Sequence, residues 1–129
     1  MSYYHNTTLK GIDFDAAIEK TTEALKAEGF GVLTDIDVKT TLKNKIDVDI
    51  KKYRILGACN PPSAHKAILT EDKIGVFLPC NVVVHELDNG DVEVAAVDPI
   101  ASMMAVKNDA LDEVASDIQA RMKRVISSL

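Results

Sequence analysis

The segment LDNGDV, residues 87–92, carries the strongest local signal in the sequence. An Asn-Gly pair between two runs of β-branched residues is the preferred centre of a type I′ hairpin turn. Such a turn predicts that Leu87 faces Val92 and that His85 faces Val94 across the two strands. The sheet that contains this hairpin is therefore at least partly antiparallel.

This register divides the hairpin into a charged and an uncharged face. Glu86 lies opposite Glu93 on the charged face, and two like charges side by side belong in water. We expect the other face to pack into the core, with His85 as a hydrogen-bonded core histidine. That face comprises Val83, His85, Leu87, Val92, Val94 and Ala96.

Apolar periodicity around the hairpin predicts two long helices and three further strands. A helix over residues 13–28 has an apolar stripe that steps by 4, 3 and 4, and Gly29 is its C-terminal stop. The longest helix begins near Asn108, and its apolar stripe steps by 4, 3, 4, 3 and 4 as far as Leu129. Strands are predicted over residues 2–9, 30–38 and 52–59, with short helices after Asp37, after Asn60 and before Asn108.

These elements predict a single α+β domain over residues 1–129. Their order is β-α-β(4)-α with short helical insertions, and the hairpin makes a sheet of about five strands mostly antiparallel. We expect the sheet to be curved, with the two long helices packed on one of its faces. The other face then has to be solvated or buried against a second copy.

The second face of the hairpin is too apolar for solvent. On the predicted register it carries Val82, Val84 and Val97, and its charged residues lie only near the turn. A solvated sheet face normally alternates to polar residues. We therefore expect a homodimer in which a two-fold related copy covers this face. The alternative is that the short helix after Pro61 covers it within one chain.

The charge and hydropathy of the chain argue against two classes of partner. Its 129 residues carry 15 Lys and Arg against 20 Asp and Glu, and the net charge of −5 repels a phosphate backbone. No apolar run reaches the roughly 20 residues that span a bilayer, and the N-terminal residues lack the layout of a signal peptide. We expect a soluble, cytoplasmic protein with no nucleic-acid and no membrane partner, in which Cys59 and Cys80 stay reduced.

Two segments in the middle of the chain resemble the Domain of Unknown Function 302 family. They are YRILGACNP at residues 53–61, followed by Ala64, and IGVFLPCNV at residues 74–82. GFGVL at residues 29–33 and VDP at residues 97–99 resemble its flanking blocks, so the resemblance covers essentially the whole chain. The resemblance implies a small α+β fold related to the half-repeat of TATA-binding protein, with one strand, a helix, four strands and a helix. It implies no activity.

Each of the two segments contains a Cys-Asn pair. Cys59 ends the third strand and Cys80 opens the fourth, so antiparallel pairing brings both to one end of the sheet. We take Cys59, Asn60, Cys80 and Asn81 as candidate ligand-binding residues. Two thiols at one sheet end suit a small-ligand pocket, a soft-metal site or a redox couple, and alternatively both are small buried residues beside turns. The spacing differs from Cys-x-x-Cys, so it indicates neither a zinc site nor a thioredoxin-type motif.

The histidines add no ligand to this site. Strand parity places His85 and Cys80 on opposite faces of the sheet, so they cannot share a metal ion. His5, near an edge, and His65, on a short helix, are expected at the surface. The sequence thus names no metal ligand, no catalytic residue and no cofactor.

Two functional hypotheses remain. The first is a binding or regulatory domain that dimerises and holds a small ligand or metal near the Cys-Asn pairs. The second is an enzyme or redox protein that uses Cys59 or Cys80 as its nucleophile. We favour the first because no general base is placed beside either thiol. The sequence leaves the identity of the ligand and the question of catalysis open.

Overall fold

The structure is a computed structural model, and it describes residues 2–129. Within these residues five strands and five helices follow one another along the chain. They are β1 Tyr4–Leu9, α1 Phe14–Ala27, β2 Gly31–Asp37, α2 Val38–Ile46, β3 Tyr53–Cys59, α3 Pro61–Thr70, β4 Cys80–Glu86, β5 Val92–Val97, α4 Pro99–Ser102 and α5 Asp112–Ser128. Two short 3₁₀ turns lie at Ile74–Phe77 and Asp109–Leu111.

The strands form one open antiparallel sheet in the order β1-β5-β4-β3-β2. The two long helices, α1 and α5, pack side by side on the same face of this sheet. The predicted fold class is confirmed, because the domain is α+β, its sheet is antiparallel and its long helices share one face. The short helices α2, α3 and α4 are the predicted insertions.

The main core lies between the two long helices and the sheet. The residues of the predicted stripes of α1 and α5 are buried, except Ile18 and Leu129, which are partly buried. The largest buried side chains of this core include Leu25, Leu56, Val82, Val84, Val92, Val94, Met122 and Val125.

The hairpin is present, but its predicted register is wrong by one residue. Glu86 faces Val92 and Val84 faces Val94. The Gly90 N–H donates to the Leu87 carbonyl at 3.0 Å, and Gly90 has a φ of 89°. This geometry is a type I turn followed by a glycine bulge, which adds one residue to the loop that a type I′ turn would have.

The slip in register exchanges the two faces of β4. Val82 and Val84 are fully buried in the core, whereas Val83 and His85 lie half-buried on the other face. The prediction that Val83, His85 and Leu87 face the core is therefore wrong, and so is the prediction that Val82 and Val84 lie on the face that the long helices leave uncovered. The assignment for β5 is correct, since Val92, Val94 and Ala96 are all buried.

The edge strand β2 contains a second irregularity. Its register shifts between Val32 and Thr34, and the intervening Leu33 is 67% exposed. A bulge in a strand moves the residues beyond it to the other face. Val32 therefore packs against the core, while Ile36 lies opposite Ile55 on the face away from the long helices.

Candidate functional site

The two Cys-Asn pairs lie at the same end of the sheet, as the sequence predicted. Ala58 faces Cys80 and Gly57 faces Asn81 in the register of β3 and β4. Cys59 is therefore one residue further along β3 than the partner of Cys80. By strand parity Cys59 and Asn81 fall on one face and Cys80 on the other. Cys59 is the last residue of β3, however, and it also lines the small cavity beside Cys80.

Cys80 belongs to the main core. Its side chain is 7% exposed, and the cavity beside it has a volume of only about 30 Å³. That volume is about the space of one water molecule. Burial raises the pKa of the Cys80 thiol to about 11, and the nearby Cys59 adds a smaller repulsion. At neutral pH this thiol is protonated and enclosed, which favours a packing role.

Asn60 has both ends of its amide engaged. Its Oδ1 accepts a hydrogen bond from the Ser63 N–H at 3.1 Å, which caps α3, and its Nδ2 donates to the Gly29 carbonyl at 3.0 Å. The first two residues of α3 are prolines and have no N–H, and the Ala64 N–H bonds the Asn60 carbonyl. The start of α3 therefore offers no free N–H to an anion, and Asn60 links this helix to the end of α1.

Gly57 lies between Cys59 and Asn81 and is buried, because neighbouring side chains cover its backbone. A Cβ at this position would overlap Thr34 Oγ1 and would come within 2.7 Å of Pro79 Cγ. No side chain larger than hydrogen fits there without displacing one of these neighbours. The half-buried Cys59 and the exposed Asn81 therefore lie on the face away from the long helices, with Thr34 and Pro79 packed over Gly57 between them.

We call this face, which α1 and α5 leave uncovered, the open face. A continuous apolar row crosses it from β5 to β2, because Ala95 faces Val83, Val83 faces Ile55 and Ile55 faces Ile36. Ile36 is 49% exposed and the other three are half-buried. The open face comprises Tyr4, Asn6, Thr8, Thr34, Ile36, Tyr53, Ile55, Gly57, Cys59, Asn81, Val83, His85, Glu93, Ala95 and Val97.

A polar row runs beside the apolar one, at the end of the open face remote from Cys59. His85 Nε2 lies 2.7 Å from Glu93 Oε1, and Asn6 Nδ2 donates to Glu93 Oε2 at 2.8 Å. The hydrogen bonds from Asn6 and then His85 hold the pKa of Glu93 below its usual value. The prediction of His85 as a core histidine is wrong, because the shifted hairpin register turns His85 to the open face. Its hydrogen-bond partner there is the Glu93 carboxylate.

A buried carboxylate on the helix side was not predicted from the sequence. Asp98 is 4% exposed, and its Oδ2 lies 2.9 Å from His5 Nε2 and 2.9 Å from Gln119 Nε2. Burial raises the pKa of Asp98, but hydrogen bonds from Gln119, His5 and two backbone N–H groups outweigh it and lower the pKa. The Asp-Pro pair at residues 98–99 signals a helix cap, and nothing local signals the two side-chain partners.

The other two histidines lie apart from the Cys-Asn pairs. His65 is exposed, as predicted, whereas His5 is half-buried against Asp98 rather than at the surface. Within residues 2–129, no group of three or more His, Cys, Asp or Glu side chains is placed to hold a metal ion. In the same residues, no helix combines the length and the apolar character needed to cross a membrane.

The fold and the motif residues define a class: a small α+β domain with an antiparallel sheet open on one face and Cys-Asn pairs at one end. The profile of the family described as "Domain of unknown function DUF302" matches residues 5–129. The chain therefore belongs to this family.

A solved structure supports the same assignment. The crystal structure of uncharacterized conserved protein DUF302 from Bacillus stearothermophilus superposes with a TM-score of 0.90 at 28% sequence identity. The match covers 98% of this chain and 98% of that one. No curated protein matches the sequence.

Proposed function

We propose that the protein is a homodimeric binding or regulatory domain that pairs through its open face and holds a small ligand beside Cys59 and Asn81. The observation that carries this proposal is the apolar row Ala95, Val83, Ile55 and Ile36, which reaches the surface across four strands. Apolar side chains in a contiguous row on a sheet face favour burial against a partner.

The size of the open face sets how much of a dimer interface it can supply. Five strands of six or seven residues cover about 20 Å along the strands and about 24 Å across them. A plane of that size has an area of about 480 Å², against the roughly 800 Å² that each partner buries in a standard interface. The sheet face would therefore supply about half of such an interface, and the loops at its rim would have to contribute the rest.

The charge of the open face favours a second copy over a charged partner. Its one carboxylate, Glu93, accepts hydrogen bonds from Asn6 and His85 on the same face. Across a two-fold axis a surface meets itself, so any unpaired charge would meet a like charge or be buried alone. Because Glu93 is already hydrogen-bonded to Asn6 and His85, an interface over the open face would bury no unpaired carboxylate.

The ligand part of the proposal rests on the accessible members of the two Cys-Asn pairs. Cys80 is enclosed in the core and Asn60 is engaged as a cap, so Cys59 and Asn81 remain. Cys59 is half-buried and Asn81 is exposed on the open face, so a small ligand at the surface of the sheet can contact both side chains. A thiol and an amide offer hydrogen bonds and a soft contact, which suit a small organic ligand better than a metal ion.

Light scattering during size-exclusion chromatography at micromolar concentration tests the dimer. We expect twice the chain mass of 14.0 kDa for the wild type and a single chain mass for Val83→Asp, which places a charge in the middle of the apolar row. The matched control is Val76→Asp, since Val76 is 81% exposed outside the sheet and its replacement should leave the dimer intact. A wild type with the mass of one chain would refute the proposal.

A thermal-shift screen of small molecules on the wild type and on Asn81→Ala tests the ligand site. Compounds that stabilise the wild type should lose their effect in Asn81→Ala, because the variant removes an exposed amide and leaves the core unchanged. Equal stabilisation of both proteins would place the ligand elsewhere.

The alternative function, a thiol enzyme or redox protein, would have to use Cys59. The pKa of about 11 makes Cys80 a poor nucleophile at neutral pH. We rank this alternative second, because the two histidines with carboxylate partners, His5 and His85, belong to other parts of the molecule.

Two further features remain proposals. The likeness of the fold to the half-repeat of TATA-binding protein is supported by the order of one strand, a long helix, four strands and a long helix. A cytoplasmic location is supported by the two free cysteines, since reduced thiols are typical of that compartment.

A further inference from the structure

The segment between β5 and α5, residues 99–111, forms a strap that is fixed at both ends. At its start, Asp98 Oδ1 accepts hydrogen bonds from the N–H groups of Ile100 and Ala101 at 2.9 and 3.2 Å. Near its end, Asn108 Nδ2 donates to the Thr70 carbonyl at 3.1 Å. These bonds fix the start of the strap at the end of β5 and its end at α3.

The middle of the strap and α5 together form a cavity that is half open to solvent. Its volume is about 400 Å³, which lies within the range of small-molecule sites in proteins. Met103 is half-buried and Met104 is 67% exposed, and their flexible side chains can adjust to an occupant. The apolar lining consists of Ile100, Met103, Met104, Val106, Leu111 and Ala115.

The polar part of the lining consists of Asn108, Asp112 and Ser116. Asp112 and Ser116 lie one turn apart at the exposed rim on α5, while the Asn108 amide is already engaged. Asp112 is the one charged residue of the lining. The cavity therefore favours a positive charge on the part of an occupant that lies next to Asp112.

We propose that this cavity binds a small apolar molecule that carries an ammonium group, with the apolar part between the strap and α5 and the cation at Asp112. The apolar walls supply contact area for a ring or an alkyl chain, and the adjacent carboxylate pairs with the charge. This site lies on the helix side of the sheet, so it is independent of the open face and of the Cys-Asn pairs.

The methionines provide the readout for a test on the intact protein. Phenylpropylamine is titrated into protein labelled on its methionine methyl groups, and their NMR signals are followed. We expect the signals of Met103 and Met104 to shift and saturate with a Kd on the order of 1 mM, as the size of the probe allows. Met122 is fully buried in the main core and serves as an internal control that should not shift.

Two matched probes test the charge preference. Phenylpropanol, which lacks the charge, should bind about fivefold more weakly than the amine, because an exposed ion pair contributes up to about 1 kcal/mol. Phenylpropanoate should bind more weakly still. Asp112→Asn should remove the difference between the amine and the alcohol. Equal affinities of the amine and the carboxylate for the wild type would overturn the proposal.

Two tryptophan variants test the location. Ser116→Trp places an indole across the mouth and should abolish the shift of Met103 and Met104 on addition of the amine. Ala120→Trp, at an exposed position about one turn further along the same helix, should leave it unchanged. An unaltered titration of Ser116→Trp, or no shift of either methionine in the wild type, would overturn the proposal. A shift of these signals on diluting the protein alone would also overturn it, since a second copy would then cover the cavity.

Discussion

Replacing Gly57 by alanine tests the close packing of Thr34 and Pro79 over this residue, between Cys59 and Asn81. Gly57 lies in β3 between β2 and β4, opposite Thr34 on one side and Asn81 on the other. An added Cβ would overlap Thr34 Oγ1 and would lie 2.7 Å from Pro79 Cγ. The Thr34 hydroxyl can rotate away, but the proline ring is rigid, so the strands must separate or the ring must move.

The expected cost lies at the upper end of the range for overpacking. Extra methyl or methylene groups in a packed region usually lower the free energy of unfolding by about 1–3 kcal/mol. Since Gly57→Ala creates two overlaps at once, we expect a loss of about 3 kcal/mol. The entropy of unfolding is about 2.1 cal/mol/K per residue, or about 0.27 kcal/mol/K for a chain of this length. The melting midpoint should therefore fall by about 11 °C.

Gly31→Ala is the matched control for this substitution. Gly31 lies in the neighbouring strand β2, and a Cβ there would meet no atom within 4 Å. Its replacement should change the stability by less than about 0.5 kcal/mol. Thr34→Ala should restore part of the loss in a double variant with Gly57→Ala, because it removes one of the two overlaps. Calorimetry or thermal circular dichroism measures each midpoint, and equal midpoints for Gly57→Ala and Gly31→Ala would refute the reasoning.

Three other perturbations have expected outcomes of their own. Asp98→Asn should lower the free energy of unfolding by about 2–3 kcal/mol at neutral pH. Because the pKa of Asp98 is lower in the folded protein than the ordinary 3.8 of the unfolded chain, its carboxylate stabilises the fold above pH 3.8 and this stabilisation is lost as the pH falls further. Urea titrations should therefore show the difference in stability between wild type and variant shrinking below that pH. An alkylating agent at about pH 8 should modify Cys59 before Cys80, whose pKa of about 11 keeps it protonated, and equal rates by mass spectrometry would contradict its burial. Gly90→Val should cost about 1–3 kcal/mol because Gly90 has a positive φ, and an unchanged melting midpoint would exclude the glycine bulge.

The elements of this fold could be predicted because their signals are local. The apolar stripe of α5 fixes which side of that helix is buried, and Asn60 before two prolines marks the start of α3. Each signal depends on residues within one or two helical turns. The arrangement of the elements follows once the hairpin makes the pairing antiparallel.

The hairpin register could not be predicted with the same certainty, since two turn types share the Asn-Gly signal. A type I′ turn needs positive φ at both central residues, whereas a type I turn with a glycine bulge needs it only at Gly90. Gly90 has positive φ, and Asn89 is not among the described residues that do. The turn type sets the hairpin register, and the register of the glycine-bulge turn places Val83 and His85 on the open face instead of in the core.

The partners of Asp98 lay beyond sequence reasoning for a different reason. His5 is 93 residues away from Asp98 along the chain, and the two meet only because β1 pairs with β5. Neither residue lies in a local pattern that names the other. Side-chain networks that close across a sheet depend on its strand order, which the hairpin alone does not determine.

The structure also links the two parts of the proposed function. The motif residues divide into those with a packing role, Gly57, Asn60 and Cys80, and those that remain accessible, Cys59 and Asn81. The accessible two lie on the open face, which is the proposed dimer interface. A ligand at that position would therefore be covered by the second copy, and its binding should depend on dimerisation. Val83→Asp, in the middle of the apolar row, should then weaken ligand binding together with the dimer, whereas Asn81→Ala should weaken ligand binding alone.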